Sequence, residues 1–227
     1  MTTTNPTNDA TALNYIELQY QLRGKTLPAD HGYSLYSAIK TTVLNGESLP
    51  PEVLLCSVPG IGDRNGTIFL SPRSRLRLRC PAETVQYWYR SLQNTVLDVR
   101  GHLVRLIQPR MLLPQPSSTL RSRLVTFKLK DWKTHESPVY FLQSCQRALA
   151  ALDIDAQPYI DSDATGNLAL RALQVRHKNI LGYGIGIEGL SDEDSIKLQC
   201  LGLGGRKHFG CGWFYPVAEG DRHDDEA

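Results

Sequence analysis

Two stretches of short alternating segments and helical stripes, parted by a proline-containing run, predict an α+β chain of two tandem ferredoxin-like (RRM-like) halves, each in the order β-α-β-β-α-β. The break is residues 112–118, where Pro114 and Pro116 stand among polar residues and resist both helix and inner strand. The chain then divides into a disordered start (1–12), a first half (13–111), a linker (112–120), a second half that ends in a glycine-rich loop (121–216) and an acidic disordered tail (217–227).

In the first half, Ile16, Leu18, Tyr20 and Leu22 alternate as in a half-buried strand, and Leu35, Ile39 and Val43 follow at helical spacing. Strands are expected next at 53–58 and 67–79, a helix at 81–93 and a strand at 96–107. In the second half, 124–129 reads as a strand, and Phe141, Leu142, Cys145, Ala148, Leu149 and Leu152 form a helical stripe. Two strands, 168–176 and 180–187, flank a turn at His177-Lys178-Asn179 and predict a hairpin. Ser191 caps the next helix, with Asp192, Glu193 and Asp194 in its first turn, where the helix dipole favours negative charge. Gly202 ends it, and 211–215 supplies the last strand.

An apolar share of 41% is enough for packed cores, and no apolar run approaches the roughly 18 residues of a membrane span. The start lacks the order of a signal peptide, so a cytoplasmic protein with no membrane partner is expected. The five cysteines are scattered and form no C-x-x-C pair, which predicts reduced, mostly buried thiols. The net charge of +2 hides an acidic end: residues 219–227 hold five acids and Arg222, and without them 24 basic residues face 18 acidic ones. The body is therefore moderately basic, as suits a polyanionic partner.

Gly184-Ile185-Gly186-Ile187-Glu188-Gly189 matches G-x-G-x-x-G, but no acidic residue follows about 20 positions on and no parallel βαβ unit surrounds it, which argues against a dinucleotide site. The six histidines suggest no local metal site, and no metal or other cofactor is expected. The run from Gly202 to Gly212 differs: Gly202, Gly204, Gly205, Gly210 and Gly212 frame Arg206 and Lys207, so close approach to main-chain amides and two cations together suit phosphate. A flexible helix-to-strand connection is the alternative. Arg73, Arg75, Arg77 and Arg79 alternate with Ser74, Leu76 and Leu78, which puts four guanidiniums on one strand face. Such crowding requires an anion or acids opposite; phosphate is the expectation and an acid-paired edge the alternative. Arg171, Arg176 and Lys178 add a second basic group around the hairpin. His31 enters the first helix, whose positive end keeps the ring neutral and attracts phosphate, so it suits a general base acting on a ribose 2′-hydroxyl. Tyr33 and Ser34 are nearby hydroxyls.

With these pieces the chain resembles the CRISPR-associated repeat-RNA endoribonucleases, the sixth Cas family, in the variant called MYXAN. The likeness rests on residues 27–33, 74–78, 123–126 and 189–212, where G-x-G, five residues and G-x-G run from Gly202 to Gly212. It implies tandem ferredoxin-like domains and CRISPR repeat RNA, precursor and mature, as partner, together with other Cas proteins of an interference complex. It also implies metal-independent cleavage with His31 as base and leaves the partner of that histidine open; Arg206 is the candidate stabiliser of the transition state and Tyr33 the candidate hydroxyl that orients the substrate. A non-catalytic RNA-binding scaffold subunit, or a small-molecule enzyme on the same fold, are the other readings.

Overall fold

The structure, a computed structural model, describes residues 14–63, 65–129, 137–163 and 165–217. The expectations of disorder at 1–12 and, but for Val217, at 217–227 lie outside the described residues. In the first half, β1 (Tyr15–Arg23) and β2 (Thr26–Pro28) lead into α1 (Gly32–Val43). The chain continues through β3 (Leu54–Leu55), β4 (Ile61–Gly62), β5 (Thr67–Phe69) and β6 (Arg75–Pro81) to α2 (Val85–Leu92), β7 (Val96–Val99) and β8 (His102–Leu112). The second half holds β9 (Thr119–Val125), α3 (Ser137–Ala150), β10 (Gln157–Ile160), β11 (Leu170–Val175), β12 (Lys178–Glu188), α4 (Asp192–Leu201) and β13 (Tyr215–Pro216).

The two main sheets repeat one topology. The first runs β3-β6-β1-β8-β7 and the second β10-β12-β9-β13, with β11 also paired to β12. In each, the strand that enters the second helix lies between the other two of the first three, and the last strand adds beside the first. That is the ferredoxin-like order, built from antiparallel pairs. A small sheet, β2-β5-β4, sits apart.

Period-two alternation decides which face of each sheet is covered. Leu18, Tyr20 and Leu22 of β1 and Leu76, Leu78 and Cys80 of β6 meet Leu35 and Ile39 of α1 and Trp88 and Leu92 of α2 in one core. The Tyr20 hydroxyl donates to the carbonyls of Trp88 and Tyr89, so the buried phenol is satisfied. The second core joins Val125 of β9 and Ile185 and Ile187 of β12 to Phe141, Cys145 and Leu149 of α3 and Leu198 of α4. The Ser191 hydroxyl accepts from the Asp194 amide at 3.1 Å, the cap expected from the sequence.

Several elements depart from the sequence reading. Residues 96–107 are a hairpin and not one strand: Arg100 and Gly101 both have positive φ, 56° and 84°, which suits a two-residue turn whose twist matches the strands. Residues 67–79 break at Pro72 into β5 and β6. The β11–β12 turn is Arg176-His177, one residue earlier than expected, and Lys178 already pairs with Val175. The short strand β10 was not anticipated, and 124–129 is strand only to Val125.

The arginine strand has a role other than the one expected. Its polar face turns toward the second half, where Glu17 of β1 bonds Arg77 Nε at 2.7 Å and Arg79 Nε at 2.9 Å. Arg79 is 1% exposed and also donates to the carbonyls of Gln199 (2.9 Å) and Phe214 (2.6 Å), while the Trp213 ring lies 3.9 Å below its guanidinium carbon. Tyr15, Leu54, Cys200 and Trp213 pack around this point. Arg77 and Arg79 are thus seam residues joining the halves; for Arg79, buried and bonded to a carboxylate and two carbonyls, the expectation of phosphate binding is corrected, while Arg77 spends its Nε on Glu17 and keeps a partly exposed side chain. Burial alone would raise the Glu17 carboxyl, but Arg79 and Arg77 outweigh it and hold it below the usual carboxylate range.

Candidate active site

Four segments meet where the halves face each other: the start of α1, the 56–60 segment, the tip of the β11–β12 hairpin and the glycine-rich loop. Gly32 is obligatory at the helix start, since any Cβ there would collide with the Phe209 carbonyl. Asp30 Oδ2 accepts from the Gln174 amide at 2.5 Å, which ties the helix start to β11. At the tip, the Arg176 Nε donates to the Tyr33 hydroxyl across a long 3.4 Å. Tyr33 packs edge-on against Phe209 at 5.3 Å, and Tyr36 lies 5.0 Å from Phe209 and stacks on His208 at 5.8 Å with 5° between the planes. The helix start and the loop are therefore joined by aromatic contacts.

His31 is close to this face but does not open on it. It is 3% exposed. Its Nδ1 bonds the Pro28 carbonyl at 2.9 Å, which requires a proton there, and its Nε2 accepts the Val58 amide at 2.9 Å. Burial holds the ring below its usual pKa and the Arg123 charge adds to this, against Pro28 and Asp30, so it is neutral as the helix position predicts. Both nitrogens are nevertheless spent on backbone. The expected base has no free lone pair, and His31 acts here as a pin between the helix start and the 56–60 segment. Ser34 donates to the His31 carbonyl and is buried too.

The glycines are likewise committed. A Cβ at Gly202 would stand 2.5 Å from the Gly212 carbonyl oxygen, and one at Gly204 2.7 Å from that of Thr126. At Gly210 it would strike Ser57, and at Gly212 the Leu203 carbonyl. These four have positive φ, whereas Gly205 is open, with Thr126 no nearer than 3.8 Å. The amides of Gly205 and Gly212 donate to Thr126 and Leu124. The close approach that glycine permits is thus largely to the protein's own backbone, which corrects the expectation of a phosphate cradle lined by all five. Lys207 also turns inward: its Nζ donates to the Leu201 carbonyl at 2.5 Å, and burial lowers its pKa. Arg206, in a left-handed conformation at φ 60°, is exposed.

Arg176 and Lys178 are exposed at the hairpin tip, as is Arg73 in the turn before β6. Arg75 is half-buried and donates to the Pro72 and Ser74 carbonyls. Arg171 is half-buried, and its Nε has no hydrogen-bond partner among the described residues. From Tyr33, a groove of about 420 Å³ runs along Ser37, Thr41 and Thr42 of α1 to Asp98 and Arg100. The sequence reading passed over Asp30, Tyr36, His208 and Arg100. Only the spacing of Tyr33 and Tyr36, three apart on a helix, could have marked one of them.

The family model described as Cas6 Crispr matches residues 16–219 of this chain. The chain is 30% identical over 210 residues to the CRISPR-associated endonuclease Cas6 of Myxococcus xanthus (strain DK1622), a match covering 92% of this chain and 84% of that one. Among solved structures it is similar to a CRISPR-associated protein Cas6, with a TM-score of 0.62 and 13% identity over 90% of this chain and 99% of the other. It is similar also to the product of a Cas6-related gene from Pyrococcus furiosus, with a TM-score of 0.62 and 15% identity over 91% and 99%. At such identities the two structures speak to the fold, and the sequence matches over most of the chain speak to descent. On those matches, and on a fold they share, this chain belongs to the Cas6 family.

Proposed function

We propose that the chain cuts precursor CRISPR RNA within its repeats to release mature guide RNAs, without a metal. The 2′-hydroxyl attacks the adjacent phosphorus in line, leaving a 2′,3′-cyclic phosphate and a free 5′-hydroxyl. The observation that carries this reading is the meeting of Tyr33, Arg176, Tyr36 and the neutral imidazole of His208 around Phe209 between the halves, with Arg206 exposed in the same loop. Arg206 offsets charge on the non-bridging oxygens, Tyr33 and Arg176 orient the strand, and Arg73, Arg75, Arg171 and Lys178 bind backbone phosphates. An open groove edged by hydroxyls fits a polymer better than the enclosed apolar pocket of a small-molecule enzyme.

The test is cleavage of a panel of repeat RNAs in EDTA, with the product ends analysed. Cutting is expected to persist in chelator, to leave a cyclic phosphate, and to stop when the sugar 5′ of the cut is 2′-deoxy. Magnesium dependence, or cleavage of the deoxy substrate, sinks the mechanism by pointing to an activated water. The burial of His31 favours a second reading, a subunit that holds RNA without cutting; tight binding with no product at any repeat establishes that one instead.

A further inference from the structure

We propose that His208 is the residue that takes the proton from the attacking 2′-hydroxyl, through Nδ1. The inference rests on the cleavage reading above and deepens it by naming the base.

A general base needs a lone pair that is free, fixed in direction and open to the substrate. Of the histidines among the described residues, His31 has spent its pair on the Val58 amide. His102 bonds the Thr26 hydroxyl at 2.8 Å through Nδ1, at the β7–β8 turn. His177 lies exposed in the hairpin turn, with no hydrogen bond to orient its ring. His208 meets each requirement. Its Nε2 bonds the Pro50 carbonyl at 2.9 Å; a carbonyl only accepts, so the proton is on Nε2 and the lone pair on Nδ1. That nitrogen has no hydrogen-bond partner among the described residues, nor is it among the buried unpartnered atoms. Stacking on Tyr36 fixes the ring plane. Burial, with help from the Lys207 charge, keeps the ring neutral against the opposing pull of Pro50 and Glu52. The neighbours complete the arrangement: Arg206, two residues back, is exposed for phosphate, while Lys207 points inward and leaves the way clear.

In the step, the 2′-O–H bond breaks and its proton passes to Nδ1 while the 2′-oxygen bonds phosphorus. The bond from phosphorus to the 5′-oxygen breaks as this forms, and the departing oxygen takes a proton from solvent. The imidazolium then returns its proton to solvent, so the sum is a transesterification that consumes nothing.

The deciding variant is His208→Gln, whose side-chain amide can still donate to Pro50 but has no basic nitrogen. Under single-turnover conditions with saturating protein, on a repeat RNA that the wild type cuts, it is expected to cut more slowly by roughly 10² to 10⁴ and to bind within a few-fold. His208→Ala is expected to be as slow, and added imidazole should restore part of its rate. A structural role predicts the opposite, with Gln rescuing what Ala loses. His208→Gln cutting at the wild-type rate overturns the proposal alone. So does a folded His31→Gln that loses cleavage while His208→Gln keeps it, which returns the base to His31. A wild type that binds repeats but cuts none overturns the cleavage reading and this proposal together.

Discussion

A guanidinium that is 1% exposed and already bonded to a carboxylate and two carbonyls is out of reach of a phosphate, and Arg79 is in that position. Its removal takes the donor from two buried carbonyls and leaves the buried Glu17 charge with Arg77 and Gln19 alone. Breaking a buried pair from one side typically costs about 3–5 kcal/mol, so Arg79→Gln should lower the unfolding free energy by up to that much, read by denaturant unfolding. An exposed phosphate contact would leave stability within about 0.5 kcal/mol of wild type. The alternation of arginine with leucine was legible in the sequence, as was the rule that such a face needs acids or an anion opposite. What period two cannot reveal is the occupant: Glu17 lies 60 and 62 positions from its partners, and only the pairing of β1 with β6 unites them. His31 shows the same limit, since its place at a helix start was readable and the Val58 amide that occupies it was not.

At the scale of elements, the glycine-rich loop illustrates how spacing outruns composition. Its five glycines look alike in sequence, yet they differ in what a methyl group would meet. Gly205→Ala should leave thermal stability and RNA affinity close to wild type. Gly212→Ala forces a Cβ against the Leu203 carbonyl at a φ of 66° and should lower stability by about 1–3 kcal/mol, read by thermal or denaturant unfolding. Equal effects at both positions would contradict this account of the loop. Elements with stripes, such as α1 and α3, were readable because the period repeats, and α4 was readable from its Ser191 cap and acidic first turn. Strand β10, four residues containing a proline, is too short to display a period, and the turn in 96–107 was missed because Arg100 adopts a positive φ that arginine rarely signals.

For the whole molecule, the two halves share a topology but spend their faces differently, and the polar face of the first sheet is closed by the second half through Glu17, Arg77, Arg79 and Trp213. This makes the seam acid-sensitive. A carboxyl held below its unfolded value contributes stability that is fully present above that value and is lost as pH falls through the lowered one. Wild type should therefore exceed Glu17→Gln in stability at neutral pH, and the gap should shrink as pH drops through and below the usual carboxylate range; a gap that holds constant in acid would show that the charge of Glu17 is not what matters. Tandem halves were legible from the repeated order of elements. The way they dock was not, because docking depends on a side chain, Arg79, that meets backbone carbonyls 120 and 135 positions further along the chain.

Gly186, the middle glycine of the string that mimics a nucleotide motif, sits opposite Tyr159 in the β10–β12 pairing, and the tyrosine ring fills the volume a Cβ would need. The glycine is an absence shaped to a neighbour. A side chain gained at 186 must therefore swing the ring aside or meet a smaller partner at 159. The two positions are thus coupled, and across relatives of this chain a side chain at 186 should tend to accompany a smaller residue at 159.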